Sequence, residues 1–279
     1  MKVYILGASG FMGEQCAAYF KKQGHEVFTE RVDITDIHAL RRAFEKYSPD
    51  VVINFAGVRA YPTIDWCEDH KVETTLVNVG GAINVAAVAI EKGVYSIQIA
   101  SGCIYSGDEH RAFTEEDEPN FTGSFYSRMR IVMQNALKEL PVLQVRIRMP
   151  IAMSAHPRNL LTKIASYKKV ISVPNSVTLI EDMFVALEKL CVTRPIGILN
   201  LTNDGYVTHA DMLAMYKKIV NPSHEYELID VKELETKVTK AGRSNCVLSN
   251  EKMKSLGIQM PALDEARLEE ILKFYKTTL

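Results

Sequence analysis

Short runs of β-branched and apolar residues alternate along the first half of the chain with stretches whose apolar positions recur every three or four residues. Strand-like runs at 3–6, 26–29 and 51–55 are each followed by a helical pattern, at 12–23, 37–47 and 71–92. A further strand at 95–100, a helix from about 126 to 139 and a strand at 142–148 continue the series. Strands that alternate with helices predict a parallel sheet joined by right-handed crossovers. Gly24 and Gly93 each follow a helical stretch, where a left-handed cap needs no side chain. After Pro150 the rhythm changes: helices are predicted at 159–167, 179–190, 209–219 and 263–279, with one strand at 197–202. The expected fold class is therefore α/β, a Rossmann-like doubly wound parallel sheet over 1–150. Residues 151–279 form mainly a smaller substrate-binding lobe, with some segments returning to the first domain. Ligands of such sheets bind beyond the carboxyl ends of the strands, so the loops after Leu6, Thr29, Phe55 and Ala100 face the expected cleft.

Composition narrows the picture. The 279 residues carry 33 basic and 34 acidic side chains, a formal net charge of −1, so no global field draws the chain to nucleic acid or to an anionic membrane. Five scattered cysteines, with no C-x-x-C pair among them, indicate neither a disulfide framework nor a metal knuckle and fit a reducing cytosol. A strand pattern begins within two residues of the N-terminus, no basic and apolar leader precedes it, and no apolar stretch approaches a membrane span. The expectation is a soluble, unprocessed, cytoplasmic protein.

The first candidate chemistry lies between the first strand and the first helix. Gly7, Gly10 and Gly13 recur at three-residue spacing, with Ser9, Phe11 and Met12 among them. Glycine is needed where backbone must approach a pyrophosphate, and the helix N-terminus presents N–H groups and a positive dipole end to that anion. The spacing G-x-x-G-x-x-G resembles the short-chain dehydrogenase/reductase group, particularly its extended, sugar-nucleotide branch. After the second strand, Glu30 and Arg31 stand where such folds read the adenosine ribose. An acid there suits the 2′-hydroxyl of NAD and a guanidinium the extra phosphate of NADP. Arg31, with Glu30 turned aside, favours NADP(H) and leaves NAD(H) open. Asp33 either bonds adenine or caps the next helix. Asn54-Phe55-Ala56-Gly57 resembles the segment lining the adenine and ribose side of the cofactor in this group, and Ala100 and Met149 end later strands on the same edge.

Tyr126 and Arg130, four apart, share one face of a predicted helix. In the dehydrogenase group that pair is Tyr and Lys, the cation lowering the phenol pKa and gripping the nicotinamide ribose. Arginine keeps the charge and the donors but never deprotonates. Tyr126 is the candidate general acid. Ser101 follows the strand at 95–100, the position of the hydroxyl that hydrogen-bonds a reacting carbonyl in these enzymes. Cys103 is two residues further on: it is either a small buried hydrophobe or, beside a cation, a thiolate able to remove an α-proton.

Longer segments carry a more specific resemblance. Residues 65–74, 101–104, 115–127, 146–151 and 157–164 are similar to the bifunctional nucleotide-rhamnose synthase/epimerase-reductase family, and the likeness continues at 173–176, 197–203 and 243–245. The resemblance implies conversion of a UDP- or TDP-4-keto-6-deoxy-glucose to the L-rhamnose nucleotide by 3,5-epimerisation and 4-keto reduction. By the same resemblance Cys103 and Lys163 share the epimerase work, Cys103 as base and Lys163 as acid or the two in reverse. Tyr126 then protonates O4, Ser101 orients it, and Arg130 holds the ribose. Asn159, Arg243 and Asn245, with Ser101, Cys103 and Lys163, are the implied substrate contacts, Arg243 suiting a diphosphate. His156 reads as a cleft neighbour, His70 as a loop-ordering residue and Trp66 as core. Implied partners are the nucleotide-sugar substrate and a separate 4,6-dehydratase upstream; a homodimer stays open, and no metal site is indicated. A 4-ketoreductase that needs a separate epimerase, and a non-enzymatic NADP-sensing regulator of the same fold, are the alternatives.

Overall fold

The computed structural model describes residues 1–58, 63–107 and 111–279. Six strands, β1 (Lys2–Leu6), β2 (Glu26–Phe28), β3 (Val51–Asn54), β4 (Tyr95–Ser101), β5 (Leu143–Ile147) and β6 (Gly197–Asn200), pair in parallel in the order β2-β1-β3-β4-β5-β6. The order reverses direction between β1 and β3, where Val3 pairs with Val51 and Leu6 with Asn54. At such a switch point the two adjoining loops part and leave a crevice. The central strands are buried on both faces, which is why they read as continuous apolar runs.

Side chains of β1 alternate between two cores. Val3 and Ile5 pack with Phe20 of α1 (Phe11–Lys22) and with Met183, Phe184 and Leu187 of a later helix. Tyr4 and Leu6 pack with Leu40 and Phe44 of α2 (Ile37–Tyr47) and with Val85, Val88 and Ala89 of α3 (Lys71–Glu91). Full burial of each large apolar side chain contributes roughly 1.5–3 kcal/mol. Helix α4 (Phe125–Leu137) covers β4 beside α3, its Met133 and Leu137 packing with Val79 and Ala86.

The expectation that no stretch approaches a membrane span is corrected by α3, whose 21 residues are long and apolar enough for one. Its apolarity serves the interior: Val79, Ala82, Val85, Ala86, Val88 and Ala89 are buried. A π-helical turn at Leu76–Gly81 interrupts α3 and turns Asn78 inward. Such bulges re-aim a side chain at the cost of regular hydrogen bonding.

The second lobe has its own core. Leu161 and Ile164 of α5 (Leu160–Ile164) pack with Leu213 of α7 (His209–Ile219) and with Leu272 and Tyr275 of α8 (Glu265–Thr277). The helix expected at 159–167 is thus shorter, because Asn159 caps its start and tight turns at Ser166 and Tyr167, bonded to the carbonyls of Lys163 and Ile164, end it. Between the lobes' segments, α6 (Ile180–Thr193) and β6 return to the large sheet and join its core.

Candidate active site

The turn after β1 is built by absence of side chains. Gly7 has φ 75°, and a Cβ there would lie 2.6 Å from the nitrogen and 2.8 Å from the Cα of Ala56 on the loop after β3. A Cβ on Gly13 would collide with the Gly7 carbonyl, the oxygen that also accepts from Gly10 N at 2.9 Å. Gly10 is the N-cap of α1 and contributes no side-chain bond, so the N–H groups of Phe11 and Met12 face outward uncapped by a side chain, with Ser9 exposed beside them. Backbone donors, dipole and a cradle that a Cβ would fill together fit a dinucleotide diphosphate.

The Glu30 carboxylate is drawn to Lys46 Nζ at 2.5 Å and to the Tyr47 hydroxyl, which hold it below the usual carboxylate range, while Arg31 stays exposed. Asp33 is not the helix cap: Asp36 caps α2, accepting from His38 N and Ala39 N. The Asp33 carboxylate instead accepts from Thr35 N and Oγ1, at 2.9 and 2.8 Å, and borders an open cavity that Val77 also lines.

Asn54 turns inward. Its amide donates to Gln98 Oε1 at 2.8 Å and accepts from Ala56 N at 3.0 Å, so it shapes the Phe55–Ala56–Gly57 loop from within. The π turn of α3 completes the support, since Asn78 accepts from Val58 N and donates to Val58 O, both at 2.7 Å. Ala100 is buried at the end of β4, and the Arg130 guanidinium lies over the Tyr126 ring, 5.1 Å from its centroid, where a Cβ on Gly57 would come within 3.3 Å of its Nη2. Arg130 Nε is buried and has no hydrogen-bond partner among the described residues.

A cavity of about 580 Å³ opens where β4 and β5 meet the second lobe, lined among others by Cys103, Arg148, Lys163, His209, Arg243 and Asn245. Ser101 Oγ accepts from Cys103 N at 3.1 Å, which leaves the hydroxyl proton to be donated elsewhere. The Arg148 guanidinium donates to Cys103 Sγ at 2.8 Å. Next to it Met149, which also lines the cavity, takes φ 39°, a left-handed conformation unusual for a methionine and found where surrounding structure over-determines a site. Arg243 makes a bidentate pair with Asp65, 2.9 Å on each arm. Burial alone would raise the Asp65 pKa; the guanidinium outweighs it and holds the carboxyl below its usual range.

Asn245 accepts from Asn175 Nδ2 at 3.0 Å and keeps a face on the cavity. Asn159 does not. It is fully buried, donating to the carbonyls of Ala152 and Ser154 at 2.8 Å and accepting from Leu161 N at 3.1 Å, so it anchors the helix that carries Lys163. That corrects its assignment as a substrate contact. His156 stacks on Phe11 at 4.5 Å, tying the second lobe to the glycine turn. His70 stacks on Trp66 at 3.7 Å, and Trp66 is half-buried beneath it instead of in the core, a correction that follows from its place on a surface helix, Trp66–Asp69.

Four contributors escaped the sequence reading: Arg148, His209, Asp65 and Asn78. Arg148 had a visible signal, since a charged residue ending a run that reads as a doubly buried strand needs a reason. His209 lines the cleft at the start of α7, its pKa pushed down to about 4 by burial and then by the Arg148 charge, so the imidazole is neutral at physiological pH.

A doubly wound sheet with a glycine-cornered switch point, a serine and a tyrosine on its carboxyl edge, and a cleft beneath a second lobe define an extended short-chain dehydrogenase/reductase fold. Comparison with protein families is more specific. The model described as RmlD substrate binding domain matches residues 1–277, and the chain belongs to that family. It is similar to an Arabidopsis thaliana protein named bifunctional dTDP-4-dehydrorhamnose 3,5-epimerase/dTDP-4-dehydrorhamnose reductase, 35% identical over 98% of this chain and 93% of that one. A trifunctional UDP-glucose 4,6-dehydratase/UDP-4-keto-6-deoxy-D-glucose 3,5-epimerase/UDP-4-keto-L-rhamnose-reductase from the same plant is 34% identical over 96% of this chain, which spans 41% of its length. Among solved structures, the UDP-rhamnose synthase of Acanthamoeba polyphaga mimivirus superposes with a TM-score of 0.92 at 30% identity, covering 98% of this chain and 99% of that one.

Proposed function

We propose that this protein is an NADPH-dependent sugar-nucleotide enzyme that inverts C3 and C5 of a nucleotide-bound 4-keto-6-deoxy-glucose and reduces its C4 ketone, giving the L-rhamnose nucleotide. The observation that carries the reading is one cleft lined by both Cys103, bonded to Arg148, and Lys163. A plain ketoreductase needs no second acid/base pair there. Family membership, the plant relative's two named activities and the mimiviral fold match support the same chemistry.

Each residue then has a part. Ser101 donates a hydrogen bond to the C4 carbonyl oxygen, and that polarisation acidifies the hydrogens on both flanking carbons. Cys103 removes the proton from one face, and Lys163 returns one from the other. Arg243, fixed by Asp65, holds the substrate diphosphate through its remaining donor capacity. When bound, the nicotinamide supplies hydride to C4. Tyr126 gives O4 its proton, with the Arg130 guanidinium lying over its ring. The withdrawn Glu30 carboxylate and the exposed Arg31 favour NADPH over NADH. Five free cysteines, one of them a base that must stay reduced, suit a cytoplasmic setting, and a 4,6-dehydratase is the partner that would supply the substrate.

The test is mass spectrometry and NMR of the product formed from UDP-4-keto-6-deoxy-glucose with NADPH. UDP-L-rhamnose is the expected product. A reduced sugar that keeps the starting configuration at C3 and C5 would leave only a ketoreductase, and no turnover with either the UDP or the TDP substrate would overturn the proposal.

A further inference from the structure

Arg148 is a cation in an unusual position. It follows β5, is 3% exposed, and its hydrogen-bond partners among the described residues are Cys103 Sγ, the Asn175 amide oxygen and the Ser244 carbonyl. None of these is a carboxylate, and its Nε has no partner among the described residues. A buried guanidinium satisfied only by neutral dipoles keeps an uncompensated charge in a medium that penalises it. One partner is able to take up a compensating negative charge: the Cys103 sulfur, 2.8 Å from Nη1.

We infer that Arg148 is the positioning residue for Cys103, its buried guanidinium keeping that sulfur as a thiolate and aiming it into the cleft. The surrounding charges agree. Cys246 is the other thiol near this charge, but it is buried, its Sγ points to the Gly102 carbonyl at 3.4 Å, and burial pushes its pKa up. His209, on α7, faces Arg148 and is neutral, so it brings no competing cation at physiological pH. Lys163, Arg243 and Asp65 line the same cavity, where the Arg243 charge is met by the Asp65 carboxylate.

The inference deepens the proposed role of Cys103 as the epimerase base, and it has a readout of its own. Alkylation of Cys103 by iodoacetamide, followed by peptide mass spectrometry across pH, titrates the thiolate directly. In the wild-type chain the rate is expected to reach half its plateau at least one unit below the ordinary cysteine pKa of about 8.5. Arg148→Met is expected to raise that midpoint by a unit or more, a roughly tenfold fall in labelling rate at pH 7, while Arg148→Lys recovers most of it. A wild-type midpoint at or above about 8.5 overturns the inference even if Arg148→Met does not fold, and so does a midpoint that Arg148→Met, folded by circular dichroism, leaves unmoved. Solvent deuterium entering C3 and C5 of the sugar reads the other claim. Labelling with an ordinary Cys103 titration would defeat the role of Arg148 and spare the epimerase, whereas a low Cys103 midpoint without labelling would do the reverse.

Discussion

The two candidate ligand sites of this molecule are made in opposite ways. The glycine turn after β1 is a site of missing side chains, where Gly7, Gly10 and Gly13 let backbone meet backbone across a few residues of sequence. The cleft under the second lobe is a site of buried and half-buried charged side chains brought together from afar: Cys103 and Arg148 are 45 positions apart, Asp65 and Arg243 178. A backbone cradle tolerates almost no substitution but leaves a readable local motif. A charged cleft tolerates more, since each contact is one term among several, and it leaves a motif only where the fold is already known.

That contrast can be broken at its stiffest point first. Gly13→Val places branched carbon against the Gly7 carbonyl, and the chain is expected to lose about 2–3 kcal/mol of stability and to bind NADPH at least 100-fold more weakly, measured by denaturant midpoint and by fluorescence titration of the cofactor. Near-normal cofactor binding would show the turn to be more yielding than its packing. Arg243→Met comes next. Losing a charge-assisted fork costs roughly 1.5–3 kcal/mol, so KM for the sugar nucleotide should rise about 10- to 100-fold with kcat within a few-fold, the signature of uniform binding. A fall in kcat at constant KM would move Arg243 from binding into the chemistry.

The smallest effect concerns pH. His209 holds a pKa of about 4 when folded and takes the ordinary value of 6.5 when unfolded. The unfolded chain therefore binds the extra proton, and stability falls as pH drops from 6.5 towards 4. The loss is about 1.4 kcal/mol one unit below the unfolded pKa. Denaturant midpoints at pH 7 and 5.5 should separate more in the wild type than in His209→Asn; equal separation would place His209 outside the buried cluster.

Much of the fold was legible in the sequence because parallel strands and their crossover helices announce themselves locally. The strand pattern at 3–6, the helix at 37–47 and the left-handed caps at Gly24 and Gly93, with φ of 82° and 66°, needed no distant partner. The π turn in α3 left no such trace, because its reason is Asn78 reaching Val58 across a loop. In the cleft, Cys103 and Lys163 were picked out by family likeness, yet the cation that bonds Cys103 was not. Asn159 shows the converse error: a polar residue in a matching segment was read as a ligand contact when its amide is fully engaged in holding the lobe's backbone.

The central claim is that one ketone first loosens its neighbouring hydrogens to Cys103 and is then reduced. It is tested most directly by incubating the protein with UDP-4-keto-6-deoxy-glucose in D2O without NADPH and reading deuterium by NMR. Wild-type protein is expected to label both C3 and C5, and Cys103→Ala to label neither while still binding NADPH. Unlabelled sugar from the wild type, or full labelling by Cys103→Ala, would contradict the account.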